Sequence, residues 1–464
     1  MSNFIAQLLE DHAGQNFELH EHHLNTQMVR VLKTIGYDRV YTKAKGPYLY
    51  DDQNNEYLDL LSGFGVYALG RNHPTVIAAL KDVITSELPD MVQMDVSLLS
   101  GLLAEQLLQR CPDNLTKMFF CNSGTEAVEA AMKFSRYTTK RNKIVFCDHG
   151  YHGLTMGALS LNGENVFREG FGSLLPDCIS VPFNDLSELE KALENRDVAA
   201  FIVEPIQGKG VNLPSDDYLP GVAALCKKYG TLFVADEVQT GIGRTGKFWA
   251  IEHWNVEPDM ICMAKALSGG FIPVGGVAMT SQVMDAVFNR MDRAVVHGST
   301  FSKNNMAMAA GLAALKVIDE ERLVENAAKI GKDLMFGLQR QVDKYELFKS
   351  VRGKGLMIAI EFGSPKSLSL KAAWGMLEAA NKGLFSQMIT IPLFKNHRIL
   401  SQVAGHGMNV VKFLPPLIIN EKDCDWILTA LDEVIADCHK VPGSIWDLGR
   451  TLTGHALKSK AGAS

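Results

Sequence analysis

Between about residues 75 and 320, short apolar runs alternate with helical patterns, and few folds satisfy that alternation. The β-type runs are "KMFFCN" (117–122), "KIVFC" (143–147), "CISVP" (178–182), "AAFIVEP" (199–205), "TLFVADE" (231–237), "MICMAK" (260–265) and "GGVAMT" (275–280). Between some of them lie helical patterns such as "TEAVEAAMKFSRYTT" (125–139) and "YLPGVAALCKKYG" (218–230). A half-exposed strand alternates apolar with polar residues, whereas these runs are apolar throughout, as strands buried on both faces are. The order predicts an α/β protein built on a large, doubly wound, mainly parallel sheet with helices on both faces.

Outside that block the texture changes. Residues 1–74 hold a helical pattern and a hairpin-like stretch, "GPYLYDDQNNEYLDL" (46–60). Beyond about 335 come mixed segments, including "VRGKGLMIAIEF" (351–362) and a closing helix, "EKDCDWILTALDEVIADC". Both ends are expected to form one smaller α+β domain, from 1–74 and 336–440, against a large domain of 75–335. The extension 441–464 ends in "GHALKSKAGAS", small and polar, and is expected to be partly disordered.

In open α/β sheets, ligands bind beyond the carboxyl ends of the strands. Five runs here end in reactive or anion-binding groups: Asn122-Ser123-Gly124-Thr125, "DHGYHG" (148–153), Glu204, Asp236-Glu237 and Lys265. Each has a plain structural explanation when taken alone. "NSGTEA" is a helix N-cap or a phosphate site, because the first amides of a helix lack internal acceptors. Asp236, preceded only by apolar residues, needs a buried cation, either a structural side chain or a ligand nitrogen. Tyr151 and His152 pack ordinarily or wall a flat ligand. Lys265 decides among these: a desolvated lysine is an amine nucleophile that forms Schiff bases. A phosphate cradle, an aromatic wall, an acid for a ring nitrogen and such a lysine together describe pyridoxal phosphate (PLP).

Composition narrows the alternatives. A net charge of −6 supplies no basic field for nucleic acid or an anionic membrane, and no apolar run reaches bilayer-spanning length. The eight cysteines are scattered without a CxxC pair, and no metal site is expected. With no secretory signal pattern at the start, this favours the cytoplasm. A thiol catalyst at Cys121 or Cys147 is the weaker alternative. A nucleotide site on "NSGTEA" lacks any Walker-type or dinucleotide glycine pattern.

The stretches "FFCNSGTEAVEAAMKFSR", "YHGLTMGALS", "VEPIQGKGV", "LFVADEVQTGIGRTGKF", "PDMICMAKALSGG", "HGSTFSKN" and "RGKGLMIAIEF" run in order along residues 40–435. Together they resemble the class III PLP-dependent aminotransferases of fold type I, the group of ornithine, acetylornithine, 4-aminobutyrate and diamine aminotransferases. The resemblance implies that Lys265 carries the cofactor as a Schiff base, that Asp236 pairs with the pyridine nitrogen, and that Gln239 bonds the ring hydroxyl. It implies Val238 and Tyr151 on the two ring faces, Ser123, Gly124 and Thr125 on the phosphate, and Glu204 in support. Ser299 and Thr300 would reach the phosphate of a neighbouring subunit, making a homodimer the minimum functional unit. Phe64, and with it Tyr67, would wall the substrate. The activity implied is transfer of an amino group from an amine or amino acid to a keto acid, aldehyde or ketone. An aminomutase, decarboxylase or racemase of the same fold, or a non-catalytic PLP-binding regulator, are the rival readings.

Three positions depart from the family pattern. Lys209 stands where ornithine- and 4-aminobutyrate-type members have a glutamate, and Lys412 where an arginine commonly clamps the α-carboxylate. "HGSTF" is followed by "SKNN" where relatives have a glycine pair, Asn and Pro. With lysine at both places the usual Glu–Arg switch cannot operate, and a less usual substrate is expected, an aldehyde or ketone of a biosynthetic route. Alternatively both lysines face solvent and another residue anchors the carboxylate.

Overall fold

The computed structural model describes residues 3–440 apart from 93 and 95, together with 443, 445–450 and 452. The polar tail 454–464 and its expected disorder lie outside the described residues, as does much of the extension from 441.

All seven apolar runs are strands of one sheet: β1 (Lys117–Cys121), β2 (Lys143–Cys147), β3 (Cys178–Val181), β4 (Val198–Val203), β5 (Leu232–Asp236), β6 (Met260–Met263) and β7 (Gly275–Met279). Their spatial order is β1-β7-β6-β5-β4-β2-β3. β7 pairs antiparallel with both β1 and β6, and all other pairings are parallel. Six strands therefore point one way and one is reversed.

Successive side chains enter two different cores, which is why the runs carry no polar alternation. Phe201 and Val203 of β4, Phe233 and Ala235 of β5, and Ile261 and Met263 of β6 join one apolar cluster. Ala200 and Ile202, Val234, and Met260 and Cys262 join a second cluster on the opposite face. The helix Gly124–Thr139, which follows β1, buries seven residues, with Ala127, Ala130, Ala131 and Phe134 in that second core.

A smaller unit draws on both ends of the chain. The hairpin Tyr48–Asp51 and Glu56–Asp59 is the predicted one, and Ile399–Leu400 adds to it in parallel. A second small sheet pairs Phe348–Lys354 with Met357–Phe362, then with Val410–Phe413 and Gln402–Val403. The strand Val410–Phe413 brings Lys412 in from this side.

One close approach fixes the small unit beside the large one. Gly331, in the helix Leu323–Lys344, lies so near the turn at Gly355 that an added Cβ would meet the Gly355 carbonyl oxygen at 2.1 Å. The Gly355 backbone in turn abuts Thr245 and Gly246, just beyond the exit of β5. Backbone cannot step aside as a side chain can. Gly331→Ala should therefore destabilise by about 1–3 kcal/mol, in the range of core overpacking. At Gly337 of the same helix the obstacle is the flexible Leu428 side chain, so Gly337→Ala should cost less. Thermal melting of both variants checks this; a larger loss from Gly337→Ala would contradict it.

Candidate active site

Six co-directed strands deliver their carboxyl ends to one edge, and a cavity of about 850 Å³ opens there. Its walls include Ser123, Gly124, Thr125, Tyr151, His152, Glu204, Asp236, Val238, Gln239 and Lys265 from the large sheet's exits. Phe64, Lys209 and Lys412 also line it.

Lys265 follows β6 and opens a single turn of 3₁₀ helix. Its φ is +46°, a left-handed conformation that a lysine adopts only under constraint. Among the described residues its Nζ has no hydrogen bond or ion pair. Burial disfavours its charged form and, although Asp236 and Glu204 oppose this, its pKa lies below the ordinary lysine value. A buried amine of this kind is a candidate nucleophile.

Asp236 ends β5 and is almost fully buried. Its partner is His152, whose Nδ1 lies 2.7 Å from Oδ2, while the Val238 amide donates to Oδ1 at 3.1 Å. Burial works against a charged imidazole, but the bond to Asp236 and its charge outweigh that and raise the His152 pKa. His152 Nε2 is buried and has no partner among the described residues. The histidine thus orients the carboxylate, a role the sequence did not reveal.

Glu204 follows β4. Its two oxygens accept from the Tyr151 amide at 2.9 Å and the Gly208 amide at 2.7 Å, tying two cavity loops together. Burial, helped by the nearby Asp236 charge, raises its pKa.

At the exit of β1, Ser123 caps the helix Gly124–Thr139 by accepting from the Glu126 amide at 3.3 Å. The plain N-cap is therefore real, yet it leaves the Gly124 and Thr125 amides without an acceptor among the described residues. Glycine at position 124 lets the helix start sit against Val238, since a Cβ there would come within 2.7 Å of Val238 Cγ1. Thr125 Oγ1 meets Thr155 Oγ1 at 2.7 Å.

The remaining positions are less uniform. Gln239 donates from Nε2 to the Phe64 carbonyl at 3.0 Å and accepts from Lys412 at 3.3 Å. Phe64 has a φ of +60° and is 57% exposed at the cavity. Tyr67 does not line the cavity; its ring lies under the Arg71 guanidinium, 3.9 Å from the centroid. Ser299 and Thr300 are also absent from this chain's cavity wall, and Ser299 Oγ accepts from Asn122 at 2.6 Å.

The two unusual lysines do not face solvent. Lys412 is 4% exposed and donates to the Gly208 carbonyl at 2.7 Å. Burial, together with the neighbouring charges of Lys265, Arg244 and Lys209, pushes its pKa down to about 7. Lys209 pairs with Glu164 at 2.9 Å. Glu164 and the cavity-lining Phe167 had no sequence signal, because they lie in an irregular stretch without periodicity.

Comparison with known proteins agrees with this geometry. The sequence profile of the family "Aminotransferase class-III" matches residues 33–435. This chain belongs to the class III aminotransferases. It is 38% identical to a putrescine aminotransferase from Pectobacterium atrosepticum, over 86% of this chain and 83% of that one. It is 33% identical to aminotransferase PigE of a Serratia species over 93% of this chain, but spans only 54% of that longer relative. An ornithine aminotransferase from Toxoplasma gondii, a structure described with partial PLP occupancy at its active site, superposes with a TM-score of 0.78 at 29% identity. That match covers 94% of this chain and 98% of the other. The fold is that of the fold type I PLP enzymes, and the family's cofactor is pyridoxal phosphate.

The residues present fit that group. An unpartnered amine, a buried carboxylate, and unfilled helix amides are complementary to an aldehyde, a ring nitrogen cation and a phosphate. Lys265 must be neutral to attack an aldehyde. Since its pKa is lowered, capture of PLP by the apoprotein should accelerate as pH rises and reach half its maximum below 10.5. Stopped-flow absorbance across pH checks this; a midpoint at or above 10.5 would contradict the desolvated setting of Lys265.

Proposed function

We propose that this class III aminotransferase moves an amino group from an amine or amino acid to a keto acid, aldehyde or ketone by a ping-pong exchange, within a specialised biosynthetic route. The observation that carries the reading is Lys265, unpartnered and in one cavity with the His152-held Asp236.

Bound pyridoxal phosphate supplies an aldehyde that condenses with amines and a conjugated ring that takes up the electron pair released at the substrate carbon. Lys265 Nζ would accept the proton from that carbon and deliver it to the carbon that was the cofactor's aldehyde, so that the donor can leave as a carbonyl compound. Its lowered pKa suits it to both acts. Asp236 keeps a proton on the ring nitrogen, and His152 prevents the carboxylate from turning away. Ser123, Gly124 and Thr125 hold the phosphate, Val238 and Tyr151 flank the ring, and Gln239 holds its hydroxyl. Glu204 fixes the loops that carry Tyr151 and Gly208.

The site is completed by a second copy in this reading, with Ser299 and Thr300 serving the neighbour's phosphate. Two observations support it: both residues stand outside their own chain's cavity, and exposed apolar side chains lie beside them in sequence, with Val295 76% and Phe301 63% exposed. No helix of the described residues is long and apolar enough to cross a membrane. The scattered cysteines support a cytoplasmic setting in this reading.

Lys412 is assigned to a substrate carboxylate. It is a buried amine whose present partners are a carbonyl and an amide oxygen, so an incoming carboxylate would supply the countercharge that favours its protonated form. The test is absorbance of the holoenzyme mixed with single donors. The cofactor band should bleach with a competent donor, releasing a separate carbonyl product, and return with a carbonyl acceptor. In Lys412→Met, acceptance of keto acids should fall about tenfold or more while unsubstituted aldehydes lose less. Full activity of that variant with every donor and acceptor would remove Lys412 from the anchor role.

A further inference from the structure

Lys209 is not arranged as a free cation awaiting a substrate. Its Nζ lies 2.9 Å from Glu164 Oε2, and the two side chains are only 12% and 14% exposed. The same Nζ sits 3.8 Å from the centroid of the Phe167 ring and 5.3 Å from that of Tyr151. Phe167 meets Tyr151 edge to face, with centroids 5.7 Å apart. Glu164 Oε1 faces His149 Nδ1 at 4.0 Å. The pair is therefore shielded, and losing one member would strand the other in an apolar surrounding.

The segment so held has little else to hold it. Glu164 precedes a single helical turn, Asn165–Arg168, and no residue from 163 to 173 is fully buried. Val166 and Phe171 point their apolar side chains to the exterior, 52% and 65% exposed. Phe167 is the member that enters the cavity wall, beside Tyr151.

We infer that Lys209 is a positioning residue that pins residues 164–167 through Glu164, so that Phe167 walls the substrate end of the cavity and the site favours an amine or carbonyl with an uncharged apolar chain. The preference for an apolar chain rests on the aminotransferase reading; the pin does not. Cation, carboxylate and ring satisfy one another, which leaves no charge at this wall for a second carboxylate or a second ammonium. Leu154, Phe271 and Ile272 add further apolar side chains to the lining of the same cavity. A glutamate at position 209, as in the ornithine-type relatives, would face Glu164 and push the segment out.

The experiment compares holoenzyme of the wild type with Lys209→Met, Lys209→Arg and Phe167→Ala. Amide hydrogen exchange of residues 163–169 should quicken about tenfold in Lys209→Met and stay near wild type in Lys209→Arg, which keeps both the charge and the ring contact. Rates of cofactor-band bleaching should show hexylamine losing its advantage over propylamine about fivefold or more in Lys209→Met and in Phe167→Ala. Unchanged exchange in Lys209→Met would overturn the pin. If 2-oxoglutarate loses more than hexanal in restoring the band in Lys209→Met, Lys209 is an anion anchor and the apolar preference is wrong. Faster exchange in Lys209→Met, combined with no bleaching by any donor even in wild type, would support the pin while sinking the aminotransferase reading.

Discussion

Charge inside an apolar cavity is the constraint on which this structure turns. Asp236, Glu204, Lys265 and Lys412 share one cavity, and a buried ionised group without a partner costs several kcal/mol. The fold meets that cost differently at each. His152 takes Asp236, two loop amides take Glu204, and a carbonyl with an amide oxygen takes Lys412. Lys265 alone is left without a bond among the described residues, in a strained backbone conformation, and it answers the cost by holding its proton less tightly. The group proposed as the nucleophile is the one that the rest of the site leaves unsatisfied.

The parallel sheet makes this concentration possible. Because β1, β2, β4, β5 and β6 run the same way, residues more than a hundred positions apart in sequence meet at one edge. Both cores lie to the sides of the strands, so the edge is free to carry polar groups. The small unit closes the cavity from the other side with the strand Val410–Phe413 and the segment 402–405.

Much of this was legible in the sequence, for physical reasons. Strands buried on both faces write themselves as unbroken apolar runs, so "AAFIVEP" and "MICMAK" mark both the sheet and the groups at its edge. The predicted hairpin at 46–60 was equally clear, since a polar turn separates two apolar stretches. What sequence could not supply were pairings between distant polar residues. His152 reads as a second aromatic for a ring wall, yet it binds Asp236, 84 positions away. Lys209 reads as a free cation, because nothing in the irregular stretch around Glu164 announces a partner. Tyr67 reads as a neighbour of Phe64 on the substrate wall, but the turn at 62–65, with left-handed residues Ser62, Gly63, Phe64 and Gly65, sends it onto Arg71.

Lys265, and no other lysine, should bond the cofactor, although Lys412 lines the same cavity and its pKa is also lowered, first by burial and then by the charge of Lys265. Reduction of the PLP-loaded protein with borohydride, followed by proteolysis and mass spectrometry, tests it directly. One phosphopyridoxyl mass increment is expected, on the peptide containing Lys265. Finding the increment on Lys412 or Lys209, or finding none after full loading, would contradict it.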